Sequence, residues 1–274
     1  IELPTWLGDA VMTTPAVENL VSHLQEANIT LIGSSVAIEA IKLHPKVVNT
    51  YTLDKSFRSF FSVVKNLGEF DIFLSFRSSL RAKIMKFFIS ANNKFQFDNK
   101  IYTKGHQVEK YNNFVNDSIN INSNPGKLKL HLKESSKQEG RKIMGINPGA
   151  SYGDSKRWYP EKFAKVITTL SSEYDTIIFG GYDEKDLATD IEKILIEKDV
   201  HNYQNLATLT SISELISHIA NLDLFITGDS GPMHIAASFQ VPTVAIFGPT
   251  KDFETSQWQN SNSIIVKKEL SCQP

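Results

Sequence analysis

Two hydrophobic periods take turns along this chain. Short runs rich in β-branched and aromatic residues, "NITLIGSS", "VVNTYTL" and "FDIFLSF", read as strands. Between them lie stretches with helical spacing. "PAVENLVSHLQ" sets Val17, Leu20, Val21 and Leu24 on one face after a Pro start. "VAIEAIKLHP" closes at Pro45, and "FRSFFSVVKNLG" stops at Gly68. The alternation breaks at Ile121–Lys142, "INSNPGKLKLHLKESSKQEGRK", which is polar, carries turn residues and reads as a connection between domains.

A second set of units follows. "KIMGINPGA" is a strand entering a Gly-containing loop, and "PEKFAKVITTLSSE" is a helix with Phe163, Val166, Ile167 and Leu170 on one face. "DTIIFGG", "LFITGDSG" and "PTVAIFGP" read as strands; "DLATDIEKILIEK", "ISELISHIANL" and "PMHIAASFQ" read as helices. The pattern predicts an α/β fold of two Rossmann-like, doubly wound domains: residues 1–130, a linker at 131–142, and residues 143–274. In such folds ligands sit beyond the carboxyl ends of the strands.

Composition narrows the class. Hydrophobic residues make up 41% of the 274 and charged residues 22%, ordinary for a globular protein. A formal net charge of −1 gives no global field to recruit nucleic acid. The single cysteine, Cys272, excludes an internal disulfide framework and fits a reducing compartment. No apolar run approaches the roughly 20 residues of a membrane span. Ile1–Gly8 lacks the basic start and apolar stretch of a signal peptide. The histidines show no H-x-x-x-H spacing, so no structural metal is expected; no cofactor is expected either.

Three loops can carry chemistry. In "LPTWLGDAVMTTPA", Gly8 and Asp9 lie between a strand end and a helix, where Asp9 either caps that helix or presents a carboxylate to a ligand. In "NPGASYGDSKRWYPEKF", Gly149, Ala150 and Ser151 let a backbone approach an anion, and Lys156 and Arg157 add cations. In "FITGDSGPMH", Gly228 and Gly231 bracket Asp229 and Ser230, with His234 in the following helix. "GDSG" also surrounds the serine of trypsin-like proteases. Those are cysteine-bearing β-barrels, whereas this copy lies between a parallel strand and a helix.

Taken in order, "LGDAVMTTPAVENL", "GINPGASYGDSKRWYPEKFAKV" and "GDSGPMHIAASFQVPTVAIFGPT" resemble the ADP-heptose:lipopolysaccharide heptosyltransferases, glycosyltransferase family 9. The Lys-Arg-Trp run and "LPTWLGD" are more similar to the family's type II branch than to type I. The resemblance implies a GT-B architecture, with two Rossmann-like domains facing across a cleft. The donor ADP-heptose would lie on the C-terminal half and the acceptor on the N-terminal half. The family's closing helices would fall outside these residues.

By the same resemblance Asp9 is the general base, and the reaction inverts the anomeric carbon without a metal. Gly149, Ala150, Ser151, Lys156, Arg157, Gly228, Asp229, Ser230, Gly231 and His234 would contact the donor. Glu184, with Asp183 beside it, is assigned more loosely to the ribose or adenine side, solvated surface acids being the other reading. Arg58, Arg77 and Arg81 are acceptor candidates, since guanidinium suits carboxylate and phosphate. "LRAKIMKFFIS" either touches a membrane surface or is a core helix with a basic edge. The implied protein is a cytoplasmic monomer at the inner membrane's cytoplasmic face, with a lipid-linked saccharide as partner. Another nucleotide sugar or acceptor, or a non-catalytic sugar-nucleotide binder, are the competing readings.

Overall fold

The computed structural model describes residues 1–54, 56–133, 140–149 and 153–268, without the side chains of 57–59 and 154. Ala150 and Ser151, and the side chain of Arg58, therefore lie outside the described residues. The chain divides into two compact units, Ile1–His131 and Leu132–Pro274.

In the first unit β1 (Ile29–Gly33) pairs parallel with β2 (Val47–Thr52), and β3 (Phe70–Ser75) pairs parallel with β4 (Ala91–Gln96). The opening residues stitch the two pairs together. Glu2 bridges both Ile32 and Ser75 in parallel register. Its N–H reaches Leu74 O at 2.8 Å, and Leu3 N–H reaches Ile32 O at 2.8 Å. The order is therefore β2, β1, the Glu2 segment, β3, β4. Residues 29, 31, 32 and 33 of β1 are buried, as expected for a parallel strand covered on both faces. The covering helices are α1 (Leu7–Met12), α2 (Thr14–His23), α3 (Ser35–Ile41), α4 (Phe57–Asn66), α5 (Leu80–Phe88) and α6 (Gln107–Ile119).

Local signals set the ends of these helices. Ser34 Oγ accepts from Ala37 N–H at 3.2 Å to start α3. His106 and Glu109 form a capping box at α6, and Asn120 ends it in the left-handed region at φ 54°. The segment Leu7–Met12 corrects one reading: Gly8 and Asp9 belong to a short helix rather than a loop, because Ala10, Val11 and Met12 are buried and hold it. Residues 121–131 also differ from the connection read from composition. Leu128 and Leu130 are buried, and Lys129 N–H donates to Thr14 Oγ1 at 3.1 Å.

The second unit holds a parallel sheet in the order β10, β9, β8, β5, β6, β7. Its strands are β5 (Lys142–Asn147), β6 (Tyr174–Ile178), β7 (Tyr203–Asn205), β8 (Leu224–Gly228), β9 (Thr243–Phe247) and β10 (Ser263–Lys267). Numbered within the unit this is the 3-2-1-4-5-6 order of the dinucleotide-binding fold. Helices α7 (Pro160–Leu170), α8 (Lys185–Glu197), α9 (Ile212–Ala220), α10 (Gly231–Ser238) and α11 (Asp252–Thr255) complete it. Met144, Ile146, Phe163, Ile167, Ile191 and Leu195 form the core on one side of the sheet. The strand order reverses between β5 and β8, so the loops after these two strands leave from the topological switch point.

Candidate active site

Polar side chains converge at that switch point. Asp229 follows β8 and is buried at 7% exposure, and Lys156 Nζ lies 2.6 Å from its Oδ2. The same ammonium donates to Asp229 O at 3.4 Å. Asn147, the last residue of β5, donates from Nδ2 to Gly149 O at 3.0 Å and to Ser230 Oγ at 3.2 Å. Thr227 Oγ1 lies 3.2 Å from Ser230 Oγ. These bonds tie the loops after β5 and β8 into one polar cluster. Gly231 opens α10, whose N-terminal end adds partial positive charge. His234 sits in that helix, buried at 3% exposure.

Small residues make the arrangement possible. A Cβ on Gly228 would come within 3.2 Å of Lys156 O, and one on Gly248 within 3.1 Å of Ser155 O. The 153–156 loop is thus laid directly over the ends of β8 and β9. A Cβ at 149 would fall inside the Glu184 side chain. Glu184 is buried, and its Oε2 accepts from Gly181 N–H at 2.6 Å. This corrects the reading of Glu184 as a solvated surface acid; Asp183 is exposed, and its carbonyl accepts from Arg157 Nη2 at 3.0 Å.

In the first unit Asp9 lies in the opening turn of α1 and is partly exposed. Tyr111 of α6, buried at 4% exposure, points its hydroxyl at Asp9 Oδ1 from 3.5 Å. Burial first, and then the Asp9 charge, hold the phenol well above its ordinary range, so Tyr111 stays a donor to the carboxylate. Nothing in the local sequence marked this pair, which is separated by 102 positions.

Of the three acceptor candidates, Arg77 and Arg81 have described side chains, and both are anchored rather than free. Arg77 Nη1 lies 3.4 Å from Oε1 of Glu2, which is fully buried and also accepts from Ser75 Oγ at 2.6 Å. Burial pushes the Glu2 carboxyl up, against Ser75 and Arg77, which pull it down. Arg81 Nη2 donates to Ser56 O at 3.2 Å, and its guanidinium stands 5.6 Å over the Phe60 ring.

Known proteins share this fold. Escherichia coli ADP-heptose LPS heptosyltransferase II superposes with a TM-score of 0.82 at 20% identity, covering 99% of this chain and 91% of that one. An E. coli heptosyltransferase solved with ADP gives 0.81 at 13% identity, covering 98% and 92%. The fold is that of the GT-B glycosyltransferases. Lipooligosaccharide heptosyltransferase 2 of Campylobacter jejuni is 41% identical over 282 residues, which span all of this chain and 88% of that protein. The model of glycosyltransferase family 9 (heptosyltransferase) matches residues 69–274, and the chain belongs to that family.

Proposed function

We propose that the protein transfers L-glycero-D-manno-heptose from ADP-heptose to the heptosyl–Kdo2–lipid A inner core of lipopolysaccharide. The observation that carries this reading is the seating of Lys156 beside the Gly228–Gly231 turn at the switch point of the second unit. The 41% identical C. jejuni protein, named a heptosyltransferase 2, supports the choice of sugar and acceptor. Asp9 takes the proton of an acceptor hydroxyl as that oxygen bonds to the anomeric carbon. The bond from that carbon to the diphosphate breaks on the opposite face, ADP leaves and the configuration inverts. Lys156 and the loop amides stabilise the charge developing on ADP, which makes a divalent ion dispensable at the donor. Asp229 and Ser230 hold the turn in shape and offer acceptors to sugar hydroxyls.

Arg77 and Arg81 are the proposed acceptor contacts. A guanidinium has five N–H donors, and each of these two spends few of them on its anchor. The lipid end of the acceptor places the enzyme at the cytoplasmic face of a membrane. Between Asp71 and Asp98 the chain carries Arg77, Arg81, Lys83, Lys86 and Lys94 and no acid. On α5 and α4 the same region exposes Leu80 at 73%, Phe87 at 78% and Phe88 at 50%, with Phe61 packed on Phe88 at 5.7 Å. Apolar wedges beside Lys83 and Lys86 suit an anionic bilayer. No helix among the described residues is long and apolar enough to cross one.

Two measurements test these assignments. With ADP-heptose and defined heptosyl–Kdo2–lipid A, the product should gain the mass of one heptose as one ADP is released. ADP-heptose binding without product would leave a non-catalytic binder. In flotation, anionic phosphatidylglycerol vesicles should carry the protein. Lys83→Ala with Lys86→Ala should weaken that binding about 30-fold, at about 1 kcal/mol per surface cation. Unchanged flotation of the double variant would remove this face.

A further inference from the structure

A second cluster lies in the first unit, in residues the transfer reaction does not use. Glu18 projects from α2, His44 from the turn after α3, and His131 from the end of the unit. Glu18 Oε1 is 3.3 Å from His44 Nε2 and 3.6 Å from His131 Nε2, and one ligand atom from each residue lies within 4.8 Å of the other two. Glu18 Oε1 and His131 Nε2 are both buried without a hydrogen-bond partner. Two imidazole nitrogens and a carboxylate oxygen are thus gathered in one small space. A tetrahedral ion with bonds of about 2.0–2.1 Å separates its ligand atoms by about 3.3 Å, close to these spacings, whereas right-angled octahedral neighbours stand at about 3.0 Å.

We propose that Glu18, His44 and His131 form a binding site for one divalent first-row transition ion, with zinc the best fit. Two neutral imidazoles and one carboxylate are donors that zinc accepts. The other Glu18 oxygen, Oε2, receives Lys129 Nζ at 2.9 Å, an outer contact that fixes the carboxylate. A cavity of about 10 Å³, lined by Thr14, Ile41 and Leu130 among others, adjoins the two imidazoles. It has room for about one water as fourth ligand. Coordination at Nε2 moves the His44 proton to Nδ1, which now accepts from Lys46 N–H at 3.1 Å. That bond must therefore break when the ion binds. The ion would pin residues 129–131 to α2 and α3.

The test titrates chelator-treated protein with Co²⁺ and with Zn²⁺. One equivalent of Co²⁺ should give the visible absorption of a four-coordinate site, Zn²⁺ should displace it, and the Lys46 amide NMR signal should move with occupancy. Changing outer-shell partners alone costs about 10–100-fold in affinity, so His131→Ala and Glu18→Gln should each weaken binding by at least that factor. His131 is partly exposed, so its variant should fold even if a His44 variant does not. No saturable binding, binding unaltered in both variants, or a Lys46 amide that stays in place would each overturn the site. The outcome is independent of heptosyl transfer.

Discussion

Asp9→Asn is expected to slow heptosyl transfer by about 10²–10⁴-fold, the usual contribution of a positioned base. Affinity for ADP-heptose should change little, because the donor cluster belongs to the second unit and Asp9 to the first. Asparagine keeps the size of the side chain and an oxygen for Tyr111, so the packing around α1 should persist. What it lacks is a lone pair able to accept a proton at neutral pH. The stability cost is small: a partly exposed acid in a helix's first turn contributes about 0.3–1 kcal/mol. Single-turnover ADP release, read beside calorimetric donor binding, separates the two effects. Transfer at the wild-type rate would take the base away from Asp9.

The second large effect belongs to Lys156. Lys156→Met should weaken ADP-heptose binding by about 10–100-fold, since a hydrogen bond to a charged group contributes about 1.5–3 kcal/mol. It should also unfold earlier. Asp229 is 7% exposed and would lose its paired cation, and breaking such a pair costs about 3–5 kcal/mol. The two losses can be divided. Adding Asp229→Asn removes the stranded acid, so the double variant should recover most of the melting temperature while donor affinity stays low. If affinity returns along with stability, Lys156 serves the fold and not the phosphate.

Much of the architecture could be read from the chain. Strands such as Leu224–Gly228 announce themselves because parallel strands are buried on both faces and are built from β-branched and aromatic residues. The order of the switch-point loops was equally visible, since Gly and Asp must stand where a backbone turns tightly from strand to helix. Leu7–Met12 was not, because Gly8 and Asp9 favour turns and Trp6, which precedes the six-residue helix, gives it no side-chain cap. Only the burial of Ala10, Val11 and Met12 decides it. Pairings across long separations were also beyond reach. Asn147 meets Ser230 over 83 positions, and Glu2 takes up Arg77 over 75. The histidine cluster draws on positions 18, 44 and 131, so no local spacing could signal it.

The place of Glu2 between β1 and β3 has a consequence for how the chain is made. The middle strand of this sheet leaves the ribosome before either neighbour exists. Its edge must wait through the synthesis of β1 on one side and of β3, some seventy residues later, on the other. Until then its amides are open to the wrong partner. Disrupting the Glu2 segment should therefore disturb assembly of the whole first unit, whereas changes at the far edge strand β4 should leave the remaining strands able to associate.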